Sequence, residues 1–206
     1  MRLRAAGVRD LDALRAVEAT PRHLFTPRRY RDLAFRELRL PLPCGQSMPD
    51  AISAARLAEA TRCGPRHRLL EIGAGSGYCT AIFARLSGEV LAVERYRSLV
   101  VEAQARLDDL AMSNVELRWG DGVAVAEEEA ARGFDRIVVH ALVDAAAVAR
   151  LLAALAPGGA LIVGEIDEGR RHLARYEARG QGAPPRREIL CAARLRSLET
   201  GVARAL

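Results

Sequence analysis

Between residues 65 and 165, short apolar runs of strand length are separated by longer stretches with helical spacing. The runs at 68–73, 89–93, 115–119, 134–140 and 159–164 read as strands, and the stretches at 78–86, 96–111, 123–131 and 144–156 as helices. Crossovers of that length between short apolar strands predict an α/β fold built on a largely parallel, doubly wound, Rossmann-like sheet. Two more strand candidates, 171–178 and 188–196, flank the turn-rich spacer Gly180–Pro185, which predicts an antiparallel C-terminal hairpin closing one edge of the sheet.

Ahead of this alternation the pattern is helical and then irregular. Leu11, Leu14 and Val17 share one helical face behind Asp10, a suitable N-cap, and Pro21 breaks that helix. A polar, proline-punctuated section runs to Pro49. Residues 50–63 read as a second helix with Ile52, Ala55, Leu57 and Ala58 on its apolar side, ended by Gly64-Pro65. The expected organisation is one domain over 1–206, with an N-terminal helical and lid segment (1–64) before a ligand-binding α/β core (65–206).

Composition alters this picture little. Hydrophobic residues make up 50% of the chain but aromatics only 4%, so the core must rest on Leu, Val, Ile and Ala. Tyr78 and Trp119 read as packing residues. No apolar run approaches the ~20 residues a bilayer requires, and Met1-Arg2-Leu3-Arg4 has no apolar stretch behind it, so a cytoplasmic location is expected. Every basic side chain apart from histidine is an arginine. The net charge of +5 is spread among acidic residues rather than gathered into a stripe, which argues against nucleic acid as a partner. The oligomeric state is not legible. Cys44, Cys63, Cys79 and Cys191 show no C-x-x-C spacing, and the histidines do not join them at metal-ligand intervals, so free thiols and no metal site are expected.

The chemistry is concentrated at the predicted strand tips. Leu69-Leu70-Glu71-Ile72 runs into Gly73-Ala74-Gly75-Ser76-Gly77-Tyr78, where closely spaced glycines let the backbone turn sharply and approach a ligand. A dinucleotide fingerprint would need a sixth-position glycine where Tyr78 stands. An acidic residue before the loop repels phosphate but suits a cationic ligand with an amino-acid portion, such as S-adenosyl-L-methionine. Glu94 ends the next apolar run, at the ~20-residue distance that places a carboxylate on ribose hydroxyls. Asp121, within Gly120-Asp121-Gly122, is positioned to accept from an adenine amine or to cap the helix that follows. His140 ends the fourth strand facing the same crevice, where a hydrogen-bonded loop role is favoured over catalysis.

Together with Val93-Glu94-Arg95, Asn114-Val115, Phe134-Asp135-Arg136-Ile137-Val138-Val139 and Pro157-Gly158-Gly159, these motifs resemble the protein-L-isoaspartate O-methyltransferases. Pro21-Arg22-His23-Leu24-Phe25-x-Pro27, Leu33-Ala34, Leu40-Pro41-Leu42-Pro43 and Gly45-Gln46 extend the likeness into the N-terminal segment. The resemblance implies a class I methyltransferase fold and methylation of the free carboxylate of isoaspartyl residues in damaged proteins. It implies donor contacts from Glu71, Gly73, Ala74, Gly75, Ser76, Gly77, Glu94, Arg95, Gly120, Asp121 and Gly122, and an acceptor role for Gln46 and Ser47. The family's active loop reads Gly-Gln-Thr-Ile-Ser. Here Gly45-Gln46-Ser47-Met48-Pro49-Asp50 carries Ser47 at the threonine position and Pro49 where the acceptor serine is expected. That departure keeps open a different acceptor, such as a small carboxylic acid or a nucleic acid, or a donor-binding protein that performs no transfer.

Overall fold

The computed structural model describes residues 2–179 and 183–203. Four short helices come first: α1 (Arg2–Ala5), α2 (Leu11–Glu18), α3 (Arg22–Phe25) and, after a small antiparallel pair β1 (Leu40–Pro41) and β2 (Ser47–Met48), α4 (Ala51–Thr61). Asp10 caps α2 as expected, and α4 is capped by Asp50 and ends at Arg62, ahead of Gly64-Pro65. Asp10 accepts from the Ala13 N–H at 2.7 Å, Asp50 from the Ser53 N–H at 2.8 Å, and Arg62 closes α4 in the left-handed region with φ 47°. Among the described residues, no helix is long and apolar enough to cross a membrane.

The core then alternates as β3 (Arg68–Ile72), α5 (Tyr78–Ala84), β4 (Glu89–Glu94), α6 (Arg97–Asp109), β5 (Val115–Trp119), α7 (Gly122–Glu128), β6 (Phe134–Leu142), α8 (Ala145–Ala153), β7 (Leu155–Asp167), β8 (Arg170–Glu177) and β9 (Arg186–Ala192). The seven strands form one sheet in the order β5-β4-β3-β6-β7-β8-β9. The first five pair in parallel, and β7-β8-β9 pair antiparallel. This is the doubly wound, mostly parallel sheet with a C-terminal hairpin.

Period-two alternation assigns each strand residue to a face. Leu69, Val90, Ala92, Val138 and Ile162 pack in one cluster with α2, α4 and α5 residues such as Leu14, Ala55 and Phe83. Leu70, Ile72, Leu91, Val93, Ile137 and Leu161 pack in the other with Val123 and Leu151 from α7 and α8. Tyr78 belongs to the first cluster and meets Phe25 at 5.7 Å between ring centroids, as a packing residue should. Trp119 does not: it is 47% exposed and donates from Nε1 to the Arg95 carbonyl at 2.9 Å.

Two boundaries differ most from expectation. β7 does not begin after Pro157-Gly158-Gly159 but passes through it, because the register shift between Phe134/Leu155 and Arg136/Ala160 absorbs the turn as a bulge, with Gly158 at φ 75°. The last strand stops at Ala192 rather than at residue 196. Beyond it Arg196 and Leu198 are captured by the end of β6, where the Leu142 N–H donates to the Arg196 carbonyl and the Leu198 N–H to the Leu142 carbonyl, both at 2.7 Å. Gly180-Gln181-Gly182 of the expected turn lie outside the described residues.

The section 21–49, unassigned from its pattern, is held by one buried arginine. Arg22 donates to the carbonyls of Ala34 at 2.7 Å, Leu38 at 2.7 Å, Pro49 at 3.0 Å and Arg36 at 3.3 Å. Burial lowers the guanidinium's pKa, yet four carbonyl dipoles replace the water it gave up.

Candidate active site

A cavity of about 940 Å³ opens beyond the carboxyl ends of the parallel strands, within the size range of ligand pockets. One end is walled by Gly73–Ser76, Glu94–Tyr96, Gly120–Gly122 and, through its pair with Arg95, Glu199; the other by Arg39, Gln46–Asp50, Arg56, Arg171 and the tail Arg194–Leu198. The glycine loop, Glu94 and Asp121 therefore meet around one hollow.

Glu94 is the centre of the first end. It is 5% exposed, with Oε2 accepting from the Gly75 N–H at 2.9 Å and Oε1 from the Tyr96 N–H at 3.0 Å. Burial pushes its carboxyl up, against the pull of these N–H groups. Each oxygen keeps a lone pair for a further donor, such as a ribose hydroxyl. Gly73 and Gly75 have φ of 92° and 56°, a region other residues enter at a cost, and the loop hangs from the Val93 carbonyl through the N–H groups of Gly73 and Ala74.

Several expected donor contacts are placed elsewhere. Glu71 lies inside β3 on the Leu69 face, so its fully buried carboxylate points under α5 instead of into the hollow. There Thr80 Oγ1 donates to Oε2 at 2.5 Å, and His140 Nε2 lies 2.8 Å from Oε1. His140 does line the cavity, and so carries the influence of Glu71 to it. Gly77 is turned away from the cavity: at φ 83° it starts α5, and a Cβ on it would stand 3.3 Å from Ala103 Cβ, so it serves the packing of α5 on α6. Gly122 lines the hollow, but its lack of a side chain is dictated by Ile72, which a Cβ would overlap.

Asp121 takes the capping role. Oδ1 accepts from the N–H groups of Val123 at 2.9 Å and Ala124 at 3.3 Å, while Oδ2 accepts from the Gly201 N–H at 2.5 Å. Burial raises its carboxyl, but the N–H groups of Gly201, Ala124 and Val123 outweigh that and hold it below the usual Asp range. The Arg95 guanidinium also turns to the tail, donating to the Gly201 carbonyl at 3.0 Å and pairing with Glu199. The tail was invisible to the pattern because single backbone contacts leave no periodicity.

At the second end, Gln46 and Ser47 both line the cavity. Gln46 Nε2 donates to the Cys44 carbonyl at 3.2 Å and reaches Tyr96 Oη at 3.5 Å; Ser47 Oγ accepts from Arg39 Nη2 at 3.1 Å. Neither Arg39 nor Tyr96 was singled out by its sequence context. Glu71, Cys79 and His140 bring ligand-type atoms within 4.8 Å, a grouping that spacing could not reveal because His140 arrives from β6. Burial, then Glu71, push the Cys79 thiol well up, which opposes the thiolate a metal would bind. All four cysteines are free.

A doubly wound sheet, a glycine loop after β3 and a buried carboxylate at the tip of the adjacent β4 define a class I methyltransferase. A family model described as protein-L-isoaspartate(D-aspartate) O-methyltransferase matches residues 1–188, and the chain belongs to that family. A Caulobacter vibrioides protein named protein-L-isoaspartate O-methyltransferase is 41% identical over 202 residues, covering 98% of this chain and 89% of its own. A Maricaulis maris protein of the same name is 40% identical over 183 residues, 87% of this chain and 83% of its own. The fold is shared with a Plasmodium falciparum structure named as the same enzyme and crystallised with S-adenosyl-L-homocysteine, at TM-score 0.79 and 22% identity over 96% of this chain and 95% of that one.

Proposed function

We propose that this protein transfers a methyl group from S-adenosyl-L-methionine to the free carboxylate of isoaspartyl residues in damaged proteins, opening their repair. Glu94 carries this reading: a buried carboxylate, preset by two backbone N–H groups and facing the glycine loop, in a chain matched to the family over residues 1–188.

The residues fit such a donor. Glu94 has lone pairs for both ribose hydroxyls, Gly73–Ser76 allow close approach at the strand tip, and Gly120 and Gly122 leave the flank of the hollow without side chains. The Glu71 carboxylate lies behind the loop, with His140 between it and the cavity, an acceptor-rich arrangement that suits an ammonium or sulfonium. When bound, S-adenosylmethionine supplies an electrophilic methyl group.

The acceptor needs no general base, because a carboxylate of pKa near ~4 is ionised at neutral pH. One of its oxygens forms the new bond to the methyl carbon; the carbon–sulfur bond breaks and sulfur keeps the electron pair. What the protein contributes is alignment and exclusion of water. Gln46 and Ser47 orient the acceptor, and residues 1–64 act as the lid that walls it in. Four free cysteines support a cytoplasmic site of action.

The test incubates the protein with labelled donor and an isoaspartyl peptide beside its normal aspartyl twin. Labelling confined to the isoaspartyl form is expected; equal, background-level labelling of both would remove the proposal. Ser47→Ala is expected to lower the rate by roughly 10- to 100-fold, as loss of one oriented hydrogen bond should.

A further inference from the structure

The acceptor end of the cavity is basic, and its charge is uncommitted. Arg39, Arg56, Arg171, Arg194 and Arg196 all line it. Where they have hydrogen bonds, the partners are a hydroxyl or carbonyls: Arg39 to Ser47 Oγ, Arg56 to the Ala6 carbonyl and Arg171 to the Leu195 carbonyl. Among the described residues none of the five pairs with a carboxylate, in a chain whose other arginines include the paired Arg68, Arg118 and Arg187. The nearby acids do not neutralise them: Asp50 is committed to capping α4 and Glu199 to Arg95, leaving Glu37 at the rim. Among the described residues the hollow thus carries five guanidiniums without a carboxylate partner, alongside the buried carboxylate of Glu94.

Two of these side chains reach the acceptor loop. Arg39 Nη2 donates to Ser47 Oγ at 3.1 Å. Two residues earlier, Arg196 Nη1 stands 3.6 Å from the position a Cβ would take on Gly45. The loop between them has Pro49 where a hydroxyl would be expected from the family pattern, so Ser47 is its one hydroxyl. Because Ser47 Oγ accepts from Arg39, its own hydrogen is free to point the same way as the guanidinium.

We propose that Arg39 and Arg196 hold the acceptor carboxylate in this protein, taking over the task of the missing loop hydroxyl. The inference rests on the methyl-transfer reading for its substrate. An anionic oxygen placed beside Ser47 receives the hydroxyl and an Arg39 N–H together, and Arg196 adds its charge at the Gly45 end of the loop. Charge-assisted bonds of this kind are stronger than the neutral bond they replace and fix direction. Holding one carboxylate oxygen leaves the lone pairs of the second for attack on the methyl carbon. Both side chains are solvent-exposed, so their removal leaves the core untouched.

The experiment uses the full chain saturated with S-adenosyl-L-homocysteine and measures binding of a fluorescent isoaspartyl peptide by anisotropy. Its twin carries a carboxamide in place of the acceptor carboxylate. The unaltered protein is expected to bind the carboxylate form about 10- to 100-fold more tightly than the carboxamide. In Arg39→Gln/Arg196→Gln that preference disappears, while the affinity for S-adenosyl-L-homocysteine stays unchanged by calorimetry. Retention of the full preference in the double variant overturns the clamp, as does no preference in the unaltered protein. The labelled-donor assay runs beside it: carboxylate-dependent binding without methyl transfer removes the transfer reading and leaves the clamp, whereas transfer with an indifferent double variant removes the clamp alone.

Discussion

The His140 imidazole stands 2.8 Å from the Glu71 carboxylate, and so joins the end of β6 to the middle of β3 beneath the glycine loop. Thr80 holds the second oxygen of the same carboxylate, so Glu71 is fully engaged without touching the cavity. Glu71→Gln keeps the volume but removes the charge and turns one acceptor into a donor. The expected result is a protein less stable by about 1–3 kcal/mol in urea unfolding, with weaker binding of S-adenosyl-L-methionine by calorimetry. Unchanged donor affinity would limit Glu71 to a structural role.

Glu94 faces the cavity directly, and burial has raised its carboxyl. Ribose hydroxyls donate to its ionised form, so donor affinity is expected to fall as pH drops toward a point above the ordinary Glu value of about 4.3. Glu94→Gln should weaken binding by roughly 10-fold or more and flatten that pH dependence. Calorimetric titration with S-adenosyl-L-homocysteine at a series of pH values reads both effects.

Asp121 titrates with the opposite sign. Its carboxyl is held below the unfolded value of about 3.9, so the stability it contributes is complete above that value and is lost as pH falls through the folded one. Asp121→Ala is expected to cost about 0.5–2 kcal/mol at neutral pH through loss of the α7 cap. Asp121→Asn restores most of the cap while removing the acid-sensitive part. Urea midpoints at neutral and acid pH separate the two.

Neighbouring glycines should respond differently to alanine. On Gly122 the new methyl runs into Ile72, an overpacking cost of about 1–3 kcal/mol, while on Gly120 it meets Val125 at 3.4 Å, an ordinary contact. Comparable unfolding midpoints for Gly120→Ala and Gly122→Ala would contradict the packing seen between α7 and β3.

The parallel core was legible because period-two runs and helical spacing extend over enough residues to average out local exceptions. The meeting of residues around the hollow was legible where a motif ends a strand, as at Gly73, Gly75 and Glu94. The motif misled at Glu71, whose place one residue inside the strand hands its direction to the pleat, and at Gly77, where the same glycine signal serves a helix crossing. Nothing in the sequence says that residues 199–201 return to Arg95 and Asp121. β1 and β2 are two residues each, too short for any alternation to register.

The four carbonyls gathered by Arg22 bear on how the walls of the hollow are held. Charge-assisted bonds of that sort, buried at 2.7–3.3 Å, weld the stretch from Ala34 to Pro49 onto α3, so that wall is stiff. Across the hollow, the ties from Arg95 to Glu199, Thr200 and Gly201 are exposed, where ion pairs contribute only ~0–1 kcal/mol. The hollow therefore has one wall held mainly by buried charge-assisted bonds and one held by exposed ion pairs and single backbone contacts.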